Sequence, residues 1–152
     1  MGTRSTIALE FADGTVEQVY CHWDGYLSNN GQILQKHYSD PFKLRDLIDL
    51  GDLSSLRPEI GTKHAFSSFE LPDAERAAHE ALVENMCTFY GRDRGETGCE
   101  AKKFASFADY TANHQYEEYE YILRTDGNWY VKQHDNEYEL LVLALVEELE
   151  TA

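Results

Sequence analysis

QYEEYEYILR (115–124), TDGN (125–128) and WYVKQ (129–133) are the residues on which the fold turns. Tyr119, Tyr121 and Leu123 fall on one side of an extended chain, and Glu118 and Glu120 on the other, the period-two pattern of a strand. Asp126 and Gly127 tolerate the positive φ of a tight turn, and residues 129–133 return. The stretch therefore reads as a β-hairpin whose Glu118 and Glu120 face solvent. Downstream, Asn136 is placed to cap a helix over 137–150 that buries Leu140, Leu141, Ala144, Leu145 and Val146. The last turn of that helix carries Glu147, Glu148 and Glu150, the unfavourable sign for the helix dipole.

Toward the N-terminus a second hairpin is predicted. In residues 6–11, Ile7, Leu9 and Phe11 alternate with Thr6, Ala8 and Glu10, a half-buried strand; 12–15 form a turn and 16–23 return. Residues 24–31 are rich in Gly and Asn and read as a loop. A short helix is expected over 31–38. A second begins at Asp40 and Pro41, a cap followed by proline in the first turn, with Phe42, Leu44, Leu47 and Ile48 on its apolar face and Gly51 at its end. Residues 52–70 have no clear period and read as a loop. Over 72–86, Ala74, Ala77, Ala78, Ala81 and Leu82 recur at helical spacing. A short strand over 87–90, a polar turn-rich segment over 91–103 and one turn of helix over 104–110 lead to the second hairpin. The expected class is α+β: an antiparallel sheet built from two hairpins, with helices packed mainly on one face, in a single domain spanning 1–152.

The chain carries 28 acidic against 13 basic side chains, a formal charge of −15. That balance opposes direct nucleic-acid binding, which needs cations to displace counterions from phosphate. The acidity serves solubility, or it attracts a basic protein surface. From residue 115 onward the acids include Glu117, Glu118, Glu120, Glu147, Glu148 and Glu150, opposed only by Arg124 and Lys132; these six glutamates are the expected partner-binding set. Cys21, Cys87 and Cys99 form no Cys-x-x-Cys pair, so reduced thiols and a cytoplasmic setting are expected. The sequence shows no signal-peptide shape and no apolar run long enough to span a bilayer, so no membrane association is expected.

Two segments could carry chemistry. In YCHWDGY (20–26), His22 could act as a base with Asp24 as its orienting partner; the structural alternative is an aromatic plug with Asp24 serving the turn. In YGRDRGE (90–96), Arg92 and Arg94 could fork onto a carboxylate or phosphate; the alternative is that arginine and aspartate pair with each other. The two segments are expected to lie side by side. Cys21 and His22, adjacent on a strand, point to opposite faces and are badly placed to share a proton. No metal site is expected, because none of the six histidines shows zinc-ligand spacing, and no cofactor motif is present.

Thr3 to Ile7, the segment 20–26, Asn30-Gly31 with His37-Tyr38, LGDLSSL (50–56) and GRDRGE (91–96) together resemble a family of small proteins without an assigned activity, carried by bacteriophages and other mobile elements and marked by a His-Trp-Asp-Gly-Tyr segment after an N-terminal hairpin. Leu27 departs from the pattern, in which proline commonly follows the tyrosine. The resemblance implies an accessory protein acting in the cytoplasm of a bacterial host. With the charge, it leads to the expectation of an anti-CRISPR- or antirestriction-like inhibitor that binds a basic, nucleic-acid-handling host protein. The alternative is a small enzyme or nucleotide-binding protein using His22 and Asp24 with Arg92 and Arg94.

Overall fold

The computed structural model describes residues 2–114 and 116–151, the last of these by its backbone alone. Gln115, the expected first residue of the second hairpin, lies outside the described residues. Both hairpins are present. Strands β1 (Ser5–Glu10) and β2 (Val16–Cys21) pair antiparallel from Ser5↔Cys21 to Glu10↔Val16. Their turn is closed by the Phe11 amide donating to the Thr15 carbonyl at 2.8 Å and by Asp13 Oδ1, which accepts from the Thr15 amide and hydroxyl.

Between β2 and the second hairpin come helix α1 (Gln32–His37), preceded by a π-type turn over Leu27–Gly31, and helix α2 (Pro41–Asp49). Next follow strand β3 (Leu53–Ser55), helix α3 (Asp73–Val83), strand β4 (Thr88–Phe89), the short helix α4 (Tyr90–Arg94), strand β5 (Lys102–Phe104) and helix α5 (Phe107–Asn113). The second hairpin consists of β6 (Tyr119–Leu123) and β7 (Trp129–Gln133), with Gly127 at φ +83 in the turn. Strand β8 (Glu139–Leu140) and helix α6 (Leu141–Thr151) end the described chain.

The sheet is mixed, which corrects the expectation of an antiparallel one. Its order is β4-β3-β2-β1-β6-β7-β8, with β5 also pairing β2. The hairpins are joined by β1 and β6 running parallel, from Ser5↔Tyr119 to Leu9↔Leu123. A parallel pair needs a long crossover, and residues 11–118, β2 included, supply it. β1 is thus the central strand and is buried on both faces, not half-buried.

One face carries Ile7, Leu9, Val19, Cys21, Tyr121, Leu123, Trp129 and Val131, packed under Leu34 of α1, Leu44, Leu47 and Ile48 of α2, and Leu141 and Ala144 of α6. The other face carries a smaller cluster of Ala8, Val16, Phe104 and Ile122 around Tyr110 of α5. Asp40 caps α2 through Oδ1, which accepts from the Phe42 amide at 2.9 Å, and Pro41 occupies the first turn as expected.

Two further expectations are corrected, and α3, a helix as expected, shows which way its alanines face. Phe42 is 77% exposed rather than part of the α2 core face. The alanine stripe of α3 faces outward: the helix buries no residue, and its more shielded positions are Arg76, His79 and Val83. Finally, α6 begins at Leu141, because residues 139–140 pair with β7 instead of joining the helix.

Candidate functional site

The His22–Tyr26 segment is a packed corner. The amides of His22 and Trp23 donate to the carbonyls of Leu53 and Ser54, extending the sheet beyond β2. Arg4 Nε donates to the Tyr20 hydroxyl, which stands 2.7 Å from His22 Nδ1. Among the described residues no hydrogen bond links His22 to Asp24. Asp24 adopts the left-handed conformation at φ +58, which aspartate tolerates better than most residues. Its carbonyl accepts from the Asn30 amide and from Asn29 Nδ2, both at 3.2 Å. Gly25 sits where a Cβ would lie 2.7 Å from Ser5 Cβ, and its carbonyl accepts from the Tyr121 hydroxyl at 2.6 Å. The glycine therefore lets the corner close onto the start of β1, and the sequence segment is accounted for by that packing.

Cys21, next to this corner, has no exposed surface, and burial pushes its thiol up to about 12. Cys87 is also buried and its thiol is raised by burial; Cys99 is only half-buried, so it is the accessible thiol, though burial and the nearby Glu96 and Asp52 raise it too. Because the thiolate is the reactive form, Ellman's reagent is expected to titrate about one thiol in the native protein and all three after unfolding. Rapid reaction of two native thiols would contradict this burial pattern.

Arg92 and Asp93 form a structural staple. Asp93 Oδ1 accepts from the His64 amide at 3.1 Å and from Arg92 Nε at 3.0 Å, and Oδ2 accepts from the Phe89 amide at 2.8 Å. Arg92 Nη1 donates to the carbonyls of Ile60 and Gly61, and Nη2 to that of Cys87. Its guanidinium lies 4.6 Å from the centre of the Phe89 ring. These bonds tie residues 57–66 to the β4–α4 junction. Arg94 is exposed, 3.5 Å from Glu96 and over the Phe66 ring. Among the described residues no hydrogen bond or ion pair joins the His22 and Arg92 segments, because β3 stands between β2 and β4.

A polar cluster that sequence reasoning missed lies under α5. Glu120, expected in solvent, is 1% exposed. His114 Nδ1 donates to the Tyr110 carbonyl at 2.6 Å, and its Nε2 contacts Glu120 Oε1 in a short hydrogen bond. The Tyr138 hydroxyl donates to the same Glu120 oxygen at 3.1 Å. Burial holds the hydroxyls of Tyr110 and Tyr138 well above their ordinary value, so they remain donors. Because Tyr110 offers only a carbonyl to Nδ1, the contact between Nε2 and the carboxyl must contain a proton. The unit ties α5 to β6. Glu120 also borders a cleft of about 370 Å³ lined by Tyr116, Glu117, Glu118, Lys132, His134 and Asp135.

The remaining acids of the expected set lie at the surface. Glu118, Glu147, Glu148 and Glu150 are exposed, and Glu117 is half-buried. Tyr119, between them in the fold, feels charge from both acidic segments. Burial first, and then the charges of Glu148 and Glu118, raise the Tyr119 hydroxyl above its ordinary value.

Beside these acids, α6 exposes Val142, Leu143, Val146 and Leu149 at 46–70% of their surface. No group of three or more His, Cys, Asp or Glu side chains placed to hold a metal occurs among the described residues, and none of their helices is long and apolar enough to cross a membrane. No protein-family model, curated protein or solved structure matches the chain.

Proposed function

We propose that the protein is an accessory protein of a phage or mobile element that inhibits a host defence or nucleic-acid-handling factor by binding it through an acidic surface. The observation that supports this reading is the exposure of Glu147, Glu148 and Glu150 together in the last turns of α6, with Glu118 also exposed on the second hairpin. Three carboxylates within one turn of a helix end give a local negative field that a uniformly dispersed charge would not give. A groove evolved to hold phosphates would meet that field with lysines and arginines, at a steered and salt-sensitive rate. Glu120 takes no part, since its carboxyl is committed to His114 and Tyr138.

The test is the salt dependence of the complex with a partner recovered from host cells. Association is expected to weaken steeply between low and physiological salt, and duplex DNA or RNA is expected to compete for the partner. A partner that binds equally well at low and high salt, and is not displaced by nucleic acid, would reduce the acidity to a solubility device.

A further inference from the structure

We infer that the outer face of α6 is a docking ridge for a basic amphipathic helix of the partner. The inference rests on the acidic-surface reading above and assigns its apolar contact. Helix α6 buries Leu141 and Ala144 against the sheet and partly buries Leu145. Its other large aliphatic side chains turn outward: Val142 is 48%, Leu143 54%, Val146 46% and Leu149 70% exposed. Val142, Val146 and Leu149 recur at i, i+4 and i+7, so they form one continuous stripe with Leu143 beside it. A helix that needed only to cover the sheet would place polar residues on this face. The i, i+4, i+7 spacing is also the one by which amphipathic helices anchor to each other.

Charge selects the occupant. Helical spacing puts Glu147 and Glu150 with Leu143 on one flank of the stripe, while Glu148 follows Leu141 and Ala144 at i+7 and i+4 on the side turned to the sheet. A second copy of this chain, also at −15, would set these glutamates against their own kind. A helix with an apolar stripe edged by lysine or arginine would bury the aliphatic side chains and answer the carboxylates at the rim. The ridge would then supply affinity that salt does not remove, and the glutamates would supply the steering and the choice of partner.

The experiment uses a fluorescent helical peptide of leucine and lysine, amphipathic by design, with a leucine and glutamate peptide as control, read by anisotropy. The lysine peptide is expected to bind and the control is not. Val146→Asp with Leu149→Asp changes only exposed positions and is expected to weaken binding by about tenfold or more. Equal binding of the lysine peptide to this variant and to the wild type would overturn the ridge. If the same binding were lost on Glu147→Lys, Glu148→Lys and Glu150→Lys, the acidic-surface reading would survive without the ridge. If neither set of changes altered it, both would fall. A wild-type dimer in solution that the Val146→Asp, Leu149→Asp variant converts to monomer would assign the ridge to self-association and overturn the proposal.

Discussion

Asp93→Ala is expected to destabilise the protein by about 3–5 kcal/mol, because it leaves a largely buried arginine without its counter-charge. The Asp93 side chain has no exposed surface, and Arg92 keeps 12% of its own. Removal of the carboxylate also strips the amides of His64 and Phe89 of their acceptor. Asparagine is not a rescue. All of the groups bonded to the two Asp93 oxygens are N–H donors, so one position of the amide would present its NH₂ to another donor. Asp93→Asn is therefore expected to lose about half as much as alanine, in line with an unmade buried hydrogen bond. Urea unfolding monitored by circular dichroism checks both. An alanine variant within about 1 kcal/mol of wild type would show that the staple contributes little.

Glu120 behaves in the opposite way toward its amide isostere. Glu120→Ala is expected to cost about 2–4 kcal/mol, since the buried His114 and Tyr138 each lose a hydrogen-bond partner. Glu120→Gln is expected to stay within about 1 kcal/mol of wild type. The glutamine NH₂ can donate to the His114 Nε2, which is free to accept because Nδ1 holds its proton against the Tyr110 carbonyl. The Tyr138 hydroxyl can turn to Tyr110, 3.4 Å away. Comparable losses for glutamine and alanine would show that the contact requires an ionised pair. The same unfolding series, with the two acids side by side, separates a carboxylate surrounded by donors from one whose partner can accept.

These two acids also mark where sequence reading succeeds and where it stops. Both hairpins were legible because their signals are local: alternating side chains, and turns at Asp13-Gly14 and Asp126-Gly127. The parallel pairing of β1 with β6 was not, because residues separated by a long crossover carry no local mark of their register. Strands β3, β5 and β8 have only two or three residues, too few to display a period.

Alanines at helical spacing, as in α3, suit an exposed helix as well as a packed one. The face of α3 turned toward the protein carries His79, whose Nε2 bonds the Ala65 carbonyl. Glu120 was misread because α5 looked like a single turn, which left the second face of the sheet with nothing to cover it. In the candidate segments, the pairing of Arg92 with Asp93 and the turn role of Asp24 were visible as alternatives from residue type alone. The outward apolar stripe of α6 was not, since the same valines and leucines read equally well as core.

If, as proposed, function resides on the acidic face around α6, the His22 and Arg92 segments are dispensable for it. Parallel affinity purification from host cells tests it most directly, using tagged wild type, the Glu147→Lys, Glu148→Lys, Glu150→Lys variant, and a His22→Ala, Arg94→Ala variant. The account predicts one host protein recovered with wild type and with the His22→Ala, Arg94→Ala variant and lost from the lysine variant. Recovery of that protein with the lysine variant, together with its loss from the His22→Ala, Arg94→Ala variant, would contradict it.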